Sequence, residues 1–319
     1  MKIQVNTKHY LNLPDNPGRI ADTLDIDVSS HAYLPKTEDL SSDWVAYIAV
    51  PAFKLIRKQY GRAVPAFCSI GTGSGLDVLS AIELLGAERV GFTDLQQDVV
   101  DAAARNVRQN LQEKETVILE YGAGDLLSPL YGQPLYDVVY ENLPNVPLAT
   151  DAEITDSRNS GHFLEKREET IPELVHRQML DLHYLALVQA KGYLKEGGAV
   201  YSTLGARVDL DVFRELGRLA GYDAEIFTYT WKVQAEVEDV LTGYARQEAE
   251  GLGPFHFYCV ADLKAAFAGV DVETSGVRAS ELEKALASKQ LSAVDALSAW
   301  KQGEEIGHTV AVLKSSLKV

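Results

Sequence analysis

The sequence predicts an α/β fold in which a mostly parallel, doubly wound sheet is flanked by helices. Short apolar runs typical of strands alternate with helical patterns through the middle of the chain. A glycine-rich turn, Gly71-Thr72-Gly73-Ser74-Gly75, joins the first of these runs directly to an apolar, helix-compatible segment. Together these two observations predict a Rossmann-like arrangement. We expect three regions: an N-terminal helical and loop segment (1–62), a central domain (63–261) and a C-terminal α/β appendage (262–319).

The elements of this fold follow one another in regular order. The apolar runs predict strands at about 66–70, 90–94, 117–121, 136–140, 199–203, 225–232 and 255–260. Helical patterns cover about 43–56 (interrupted at Pro51), 76–85, 97–111, 171–194 and 210–219. In the C-terminal appendage, Ser280 with Glu283 fits a capping box, and residues 309–313 are apolar enough for a late strand.

Composition excludes several classes of function. The 319 residues include 30 basic and 46 acidic side chains, a formal net charge of −16, so no nucleic-acid partner is expected. No stretch approaches the ~18 consecutive apolar residues of a membrane span. Cys68 and Cys259 both lie in apolar runs and predict buried thiols in a reducing compartment. With a polar amino terminus as well, these features predict a cytoplasmic protein.

The spacing of the glycines decides between cofactors. A dinucleotide-binding turn carries glycine at its first, third and sixth positions, but here the sixth position is Leu76 and the third glycine is Gly75. This disfavours an NAD-dependent oxidoreductase. The spacing G-x-G-x-G after a strand instead resembles motif I of class I S-adenosylmethionine (SAM) methyltransferases. The resemblance implies SAM as cofactor, with binding residues Ser69, Ile70, Gly71, Thr72, Gly73 and Gly75.

Two acidic positions downstream extend the resemblance. Asp94, at the end of the second strand, stands where the family holds the ribose hydroxyls, and a carboxylate can accept both O–H groups of a vicinal diol. Asp125 stands where the family contacts the adenine amine. Leu95 and Leu126, which follow these two acids, and Asn142 complete the cofactor-binding residues that the resemblance implies. One position departs: the family usually has an acid where this chain has Ser69. Either another acid compensates, or backbone carbonyls and water hold the cofactor's ammonium.

The residues at the end of the fourth strand bear on the methyl acceptor, the molecule that would receive the methyl group. Glu141-Asn142-Leu143-Pro144-Asn145 resembles the N-P-P-[YF] signature of methyltransferases acting on amide or amine nitrogens, such as the HemK-like release-factor glutamine methyltransferases. The resemblance covers about residues 64–229. It implies that the Asn142 side chain and the Leu143 carbonyl accept hydrogen bonds from the N–H groups of the methyl acceptor, beside the cofactor. Pro144 would stiffen the turn. Leu143 and Asn145 depart from the signature, which favours a small-molecule amine or a protein side chain over a planar amide or base.

The remaining candidates for contact with the acceptor are Tyr33, Trp44, Tyr47, Asn145 and His162, the last in a long acidic segment between 149 and 170. The chemistry requires no metal, and a homodimer is compatible with it. Two alternatives stay open. One is an O- or C-methyltransferase, or a SAM-using enzyme of another reaction, in small-molecule biosynthesis. The other is a module that binds SAM without turnover.

Overall fold

The computed structural model describes residues 1–146 and 169–318. Two compact units divide the chain: Met1–Asn142 with Gln189–Tyr201, and Leu143–Val188 with Ser202–Val319. The strands are β1 (Lys2–Asn6), β2 (Thr23–Asp27), β3 (Ala66–Ile70), β4 (Arg89–Asp94), β5 (Ile118–Ala123), β6 (Tyr136–Glu141), β7 (Leu194–Ala206), β8 (Tyr222–Val233), β9 (Tyr258–Cys259) and β10 (Ile306–Leu317). The α-helices are α1 (Thr7–Tyr10), α2 (Val50–Tyr60), α3 (Leu76–Leu85), α4 (Gln97–Asn110), α5 (Glu173–Arg177), α6 (Asp181–Ala190), α7 (Leu210–Leu219), α8 (Val237–Ala249), α9 (Val260–Ala266), α10 (Val272–Ser275), α11 (Ala279–Leu286) and α12 (Ala293–Lys301).

The first unit is built on a parallel sheet with the strand order β5-β4-β3-β6-β7, to which β7 contributes its first residues. The pairs β3–β4, β3–β6 and β4–β5 are all parallel. All five residues of β3 are buried, as expected for a central strand with both faces covered. These parallel pairs confirm the predicted α/β fold with a mostly parallel sheet.

The N-terminal segment contains strands that the sequence did not reveal. β1 and β2 pair in antiparallel fashion, with Lys2 opposite Asp27, and their short, alternating pattern is too brief to identify from sequence. The expected helix near residue 43 begins as a π-helix at Val45–Ala49 and continues as α2. The change from π-helix to α-helix falls at Val50, so Pro51 lies in the first turn of α2, where proline is well tolerated.

In the second unit, the last strand of the chain pairs with a strand from its middle. Strand β10 lies between β7 and β8 and pairs with β8 in antiparallel fashion from Gly307–Val233 to Leu317–Tyr222. The last strand is therefore paired along its length with β8, a strand of the same unit. Its first eight residues are all buried, so both of its faces are covered. The predicted strand at 255–260 is reduced to the two residues of β9, which pair with β10.

Two helix predictions were wrong in detail. The single helix expected over 171–194 is two helices, α5 and α6, interrupted at Met179, whose φ of 57° lies in the left-handed region that ends helices. The predicted capping box also fails, because Ser280 lies inside α11. The Glu283 carboxylate instead accepts the N–H of Leu210 at 2.6 Å, and so caps α7, a helix far away in the sequence.

Across residues 1–146 and 169–318, no helix combines the length and the apolar content that crossing a bilayer requires.

Candidate functional site

The turn after β3 has three glycines in the left-handed region, with φ of 72° at Gly71, 55° at Gly73 and 81° at Gly75. A Cβ added at Gly73 would meet no heavy atom within 4 Å. A Cβ added at Gly75 would lie 3.3 Å from three atoms of Ala103 on α4. The two glycines therefore serve different purposes: Gly75 lets two helices pack closely, whereas Gly73 leaves bare backbone beside open space.

Backbone hydrogen bonds attach this turn to the neighbouring strand. The N–H groups of Gly71 and Thr72 both donate to the Thr93 carbonyl, at 2.9 and 3.0 Å. The Gly73 N–H donates to the Asp94 carboxylate at 3.1 Å. The structure thus brings together the glycine turn and the acid at the end of β4, which are twenty-one residues apart in the sequence.

Asp94 is half-buried, and burial raises the pKa of its carboxyl group above the ordinary value. Its Oδ2 accepts from Gly73, and its Oδ1 lies 3.5 Å from the Gln96 nitrogen, too far for a strong bond. The carboxylate therefore keeps accepting capacity for hydroxyl groups. The Asp94 carbonyl also accepts the Gly124 N–H at 2.9 Å, which places the end of β5 beside it. Leu95 is exposed.

Asp125 and Leu126 form a second corner at this edge of the sheet. The Asp125 carboxylate accepts from the side-chain amide of Gln189 at 2.8 Å, and the same amide's oxygen accepts the Leu127 N–H at 3.1 Å. Leu126 is buried with a φ of 47°, a left-handed conformation that a non-glycine residue adopts at a cost in free energy. Nothing in the sequence around Gln189 indicated this contact.

Asp77, in the first turn of α3, was missed from the sequence. It is 4% exposed and accepts three hydrogen bonds: from the Ser69 hydroxyl, from the Thr72 hydroxyl at 2.8 Å and from the Val78 N–H at 2.8 Å. Burial raises the pKa of its carboxyl group to about 6. Ser69, predicted to contact the cofactor, is fully buried beneath the turn and donates to this carboxylate. Ile70 is also buried.

An acid within the apolar run Leu76–Leu85 was the available signal for Asp77. A single acid in the first turn of a helix usually interacts favourably with the helix dipole, so Asp77 does not stand out in the sequence as a site residue.

The acceptor stretch begins where β6 ends. Glu141 lies opposite Ile70, the last residue of β3, so Asn142 follows β6 at the edge of the sheet where the glycine turn begins. Asn142, Leu143 and Pro144 are half-buried, and the unit boundary falls between Asn142 and Leu143.

Within the second unit, Asn145 is held at two points. Its side-chain amide donates to the Gly205 carbonyl at 3.3 Å, and its own carbonyl accepts the Tyr244 hydroxyl at 2.7 Å. Tyr244 is itself buried and packs edge-on against Phe255, with ring centroids 4.7 Å apart. Asn145 is thus fixed by partners on β7 and α8.

The aromatic candidates lie in the N-terminal segment of the first unit. Tyr33, Trp44 and Tyr47 are all half-buried, and Trp44 directly precedes the π-helix that contains Tyr47. Asp43 organises this segment, since its buried carboxylate accepts the Tyr10 hydroxyl at 2.8 Å and the N–H groups of Val45 and Ala46 at 2.9 Å each. Their contact with an acceptor stays a prediction. His162 and most of the acidic segment lie outside the described residues.

Among the described residues, no group of three or more His, Cys, Asp or Glu side chains is arranged to hold a metal ion.

Comparison with known proteins adds a likeness of fold. No family model matches the sequence, and no curated protein matches it. The chain is similar to the solved ribosomal protein L11 methylase of Lactobacillus delbrueckii subsp. bulgaricus (17% identity, 56% of this chain and 69% of that chain, TM-score 0.36). It is also similar to precorrin-6y C5,15-methyltransferase of Geobacter metallireducens GS-15 (12% identity, 90% and 91%, TM-score 0.38) and to the [4+2]-cyclase SpnF (14% identity, 91% and 88%, TM-score 0.41). These values are too low to transfer an activity, so function rests on the residues of this chain.

Proposed function

We propose that the protein is a SAM-dependent methyltransferase that transfers a methyl group to a nitrogen of a small molecule or of a protein side chain. The observation that carries the proposal is the hydrogen bond from the Gly73 N–H to the Asp94 carboxylate. A Cβ added at Gly73 would enter open space. Bare backbone and a carboxylate with accepting capacity at one point suit a nucleoside with a free vicinal diol.

The residues at this edge of the sheet fit such a cofactor. Asp94 would accept the ribose hydroxyls, and Asp125, oriented by Gln189, lies at the next corner, where an exocyclic amine would find an acceptor. Gly71 and Gly73 allow a ligand to approach the backbone without meeting a side chain. SAM supplies an already activated methyl group on its sulfonium, so the protein must chiefly position the acceptor.

On the acceptor side, Asn142 would hold the nitrogen. Its side-chain oxygen can accept an N–H bond, and the Leu143 carbonyl can accept a second, which together would fix the direction of the nitrogen lone pair. Pro144 restricts the φ angle that follows that carbonyl. The position of Asn142, directly after the residue paired with the end of β3, supports this role.

Binding of S-adenosylhomocysteine (SAH), measured by isothermal titration calorimetry, tests the proposal. Wild type should bind, and Asp94→Ala should weaken binding about tenfold or more, because a diol would lose its charged acceptor. Asp98→Ala, which removes an acid from the exposed first turn of the adjacent helix α4, is the matched control and should bind as wild type does. Absence of binding to wild type, or equal affinity in the Asp94 variant, would remove the proposal.

Transfer to nitrogen is tested separately by screening amines with SAM and measuring SAH release. A turnover that is confined to hydroxyl or carbon acceptors would exclude the nitrogen specificity while leaving SAM binding intact.

A further inference from the structure

Asp77 is a carboxylate buried where its charge has a cost. Its neighbours along α3, including Leu76, Val78 and Leu79, are buried and apolar. Burying an ionisable group among them carries a desolvation penalty, which appears as the raised pKa of its carboxyl group. An asparagine of nearly the same volume could accept hydrogen bonds without that penalty. A carboxylate at this position therefore indicates that the charge itself is used.

The hydrogen bonds to Asp77 have a fixed direction. Ser69, fully buried, and Thr72, 6% exposed, both donate their hydroxyl protons to the carboxylate. A hydroxyl that has donated its proton retains only its lone pairs, so toward a ligand it is an acceptor. Ser69 thus anchors Asp77, and Thr72, which lies between Gly71 and Gly73, retains oxygen lone pairs that can accept a further hydrogen bond.

No cation neutralises this carboxylate in the part of the chain that the structure describes. Its hydrogen-bond donors there are the two hydroxyls and the Val78 N–H, all of them neutral. Two further titratable groups lie close enough to Asp77 for its charge to raise their pKa: Tyr10 from α1 and Cys68 from β3. Burial raises the pKa of both, so both are neutral near pH 7. The turn therefore combines a net negative charge with an acceptor.

We infer that Asp77 is the positioning residue that attracts and orients the α-ammonium group of SAM and SAH, acting through the Thr72 hydroxyl and anchored by Ser69. The inference rests on the proposed function and adds a residue to it. It decides between the two alternatives left open by Ser69: the chain keeps an acid for the ammonium, but carries it eight residues later, in the first turn of α3.

A pair of ligands separates this role from a structural one. SAH and 5′-methylthioadenosine share adenine, ribose and thioether sulfur, but only SAH carries the ammonium. Calorimetry on full-length wild type, Asp77→Asn and the control Asp137→Asn, which alters a carboxylate at the opposite end of β3, measures both affinities. In Asp77→Asn we expect about tenfold weaker SAH binding and unchanged methylthioadenosine binding, because only SAH carries the ammonium group that the lost charge attracts.

Equal losses for the two ligands, or no loss for either, would overturn the inference and leave the proposed function standing. If wild type binds neither ligand, both the proposed function and this inference fall.

Wild type alone provides a second test that does not depend on the folding of a variant. Between pH 7 and 5, protonation of Asp77 should weaken SAH binding about tenfold, because its pKa lies at about 6. Asp94, whose pKa is also raised, faces the part that both ligands share, so its titration affects both alike. A ratio of the two affinities that stays constant with pH would overturn the inference.

Discussion

The turn after β3 and the stretch after β6 follow two adjacent, buried, parallel strands, yet they are held in different ways. In the turn, Asp77 accepts from Thr72, five residues away, and from Ser69, eight residues away. In the stretch after β6, Asn145 is bound to Gly205, 60 residues away, and to Tyr244, 99 residues away. The bonds to Asp77 are made by neighbours in sequence, although the glycines of the turn also bond to Thr93 and Asp94 on β4, whereas Asn145 is held by distant elements.

This difference matters for how specificity is encoded. The hydrogen bonds to Asp77 depend only on residues between 69 and 78, so this part of the cofactor end is encoded in one short segment. A stretch held by distant strands and helices can be repositioned by substitutions that never touch it. We expect the identity of the acceptor to depend on β7 and α8 as much as on residues 142–146.

A change of pH should separate the two regions most strongly, because the turn contains a buried ionisable group whereas Asn145, Gly205 and Tyr244 keep their charge state between pH 4 and 7. The pKa of Asp77 is about 6 in the folded protein against an ordinary 3.8, so the folded state binds this proton more tightly. The stabilisation that protonated Asp77 gives the folded state is therefore fully present below about pH 4 and is lost as the pH rises through 6. Between pH 4 and 7, the free energy of unfolding of wild type should fall by about 2.5 kcal/mol relative to Asp77→Asn. Urea unfolding of both proteins measures this; parallel curves would contradict it.

Replacing Asn142 should affect turnover without affecting the turn. Asn142→Ala removes the proposed acceptor for the substrate N–H, so kcat should fall about 10²-fold through lost orientation of the nucleophile, while the Kd for SAH stays within twofold of wild type. Gln133→Ala, an exposed substitution in the same unit, serves as the control. Equal losses in kcat and in SAH affinity would move Asn142 out of the acceptor site and into the cofactor site.

The two glycines of the turn should respond in opposite ways to the same substitution. Gly75→Ala combines a left-handed φ with three contacts at 3.3 Å and should cost about 2 kcal/mol of stability. Gly73→Ala meets open space and should cost about 1 kcal/mol through backbone strain alone, yet it should weaken SAH binding more. Chemical unfolding and calorimetry on both variants provide the comparison. Stronger loss of affinity in Gly75→Ala would reverse the roles assigned to the two glycines.

The smallest effect concerns the distant contact of the second region. Tyr244→Phe removes the hydroxyl that binds the Asn145 carbonyl at 2.7 Å and should cost about 1 kcal/mol. Tyr222→Phe removes an equivalent bond, from a buried hydroxyl to the Leu187 carbonyl at 2.7 Å, at a similar cost. Only Tyr244→Phe should also raise the KM for the acceptor. If both variants leave the KM unchanged, Asn145 does not position the acceptor.

The fold illustrates why some elements were readable and others were not. The run β3–turn–α3 was predicted to the residue, because an apolar strand, left-handed glycines and an apolar helix are each specified locally. The interruption at Met179 could not be predicted, since methionine ordinarily favours helix and no glycine or proline marks its φ of 57°. Glu283 looked like a local cap and proved to cap a helix 73 residues away, because a carboxylate accepts whichever N–H the fold presents.

By itself, the sequence determined the order of strands and helices around the glycine turn, and it placed Asp94, Asp125 and Asn142 at the carboxyl ends of successive strands. These follow from backbone preferences and apolar periodicity, which act over a few residues. Tertiary structure decided that β10 pairs with β8, that Asn145 is held by Gly205 and Tyr244, and that Asp77 is buried beneath the turn with two hydroxyls donating to it. The burial and the partners of a side chain are set by segments remote in the sequence, and its charge acquires a use only once they surround it.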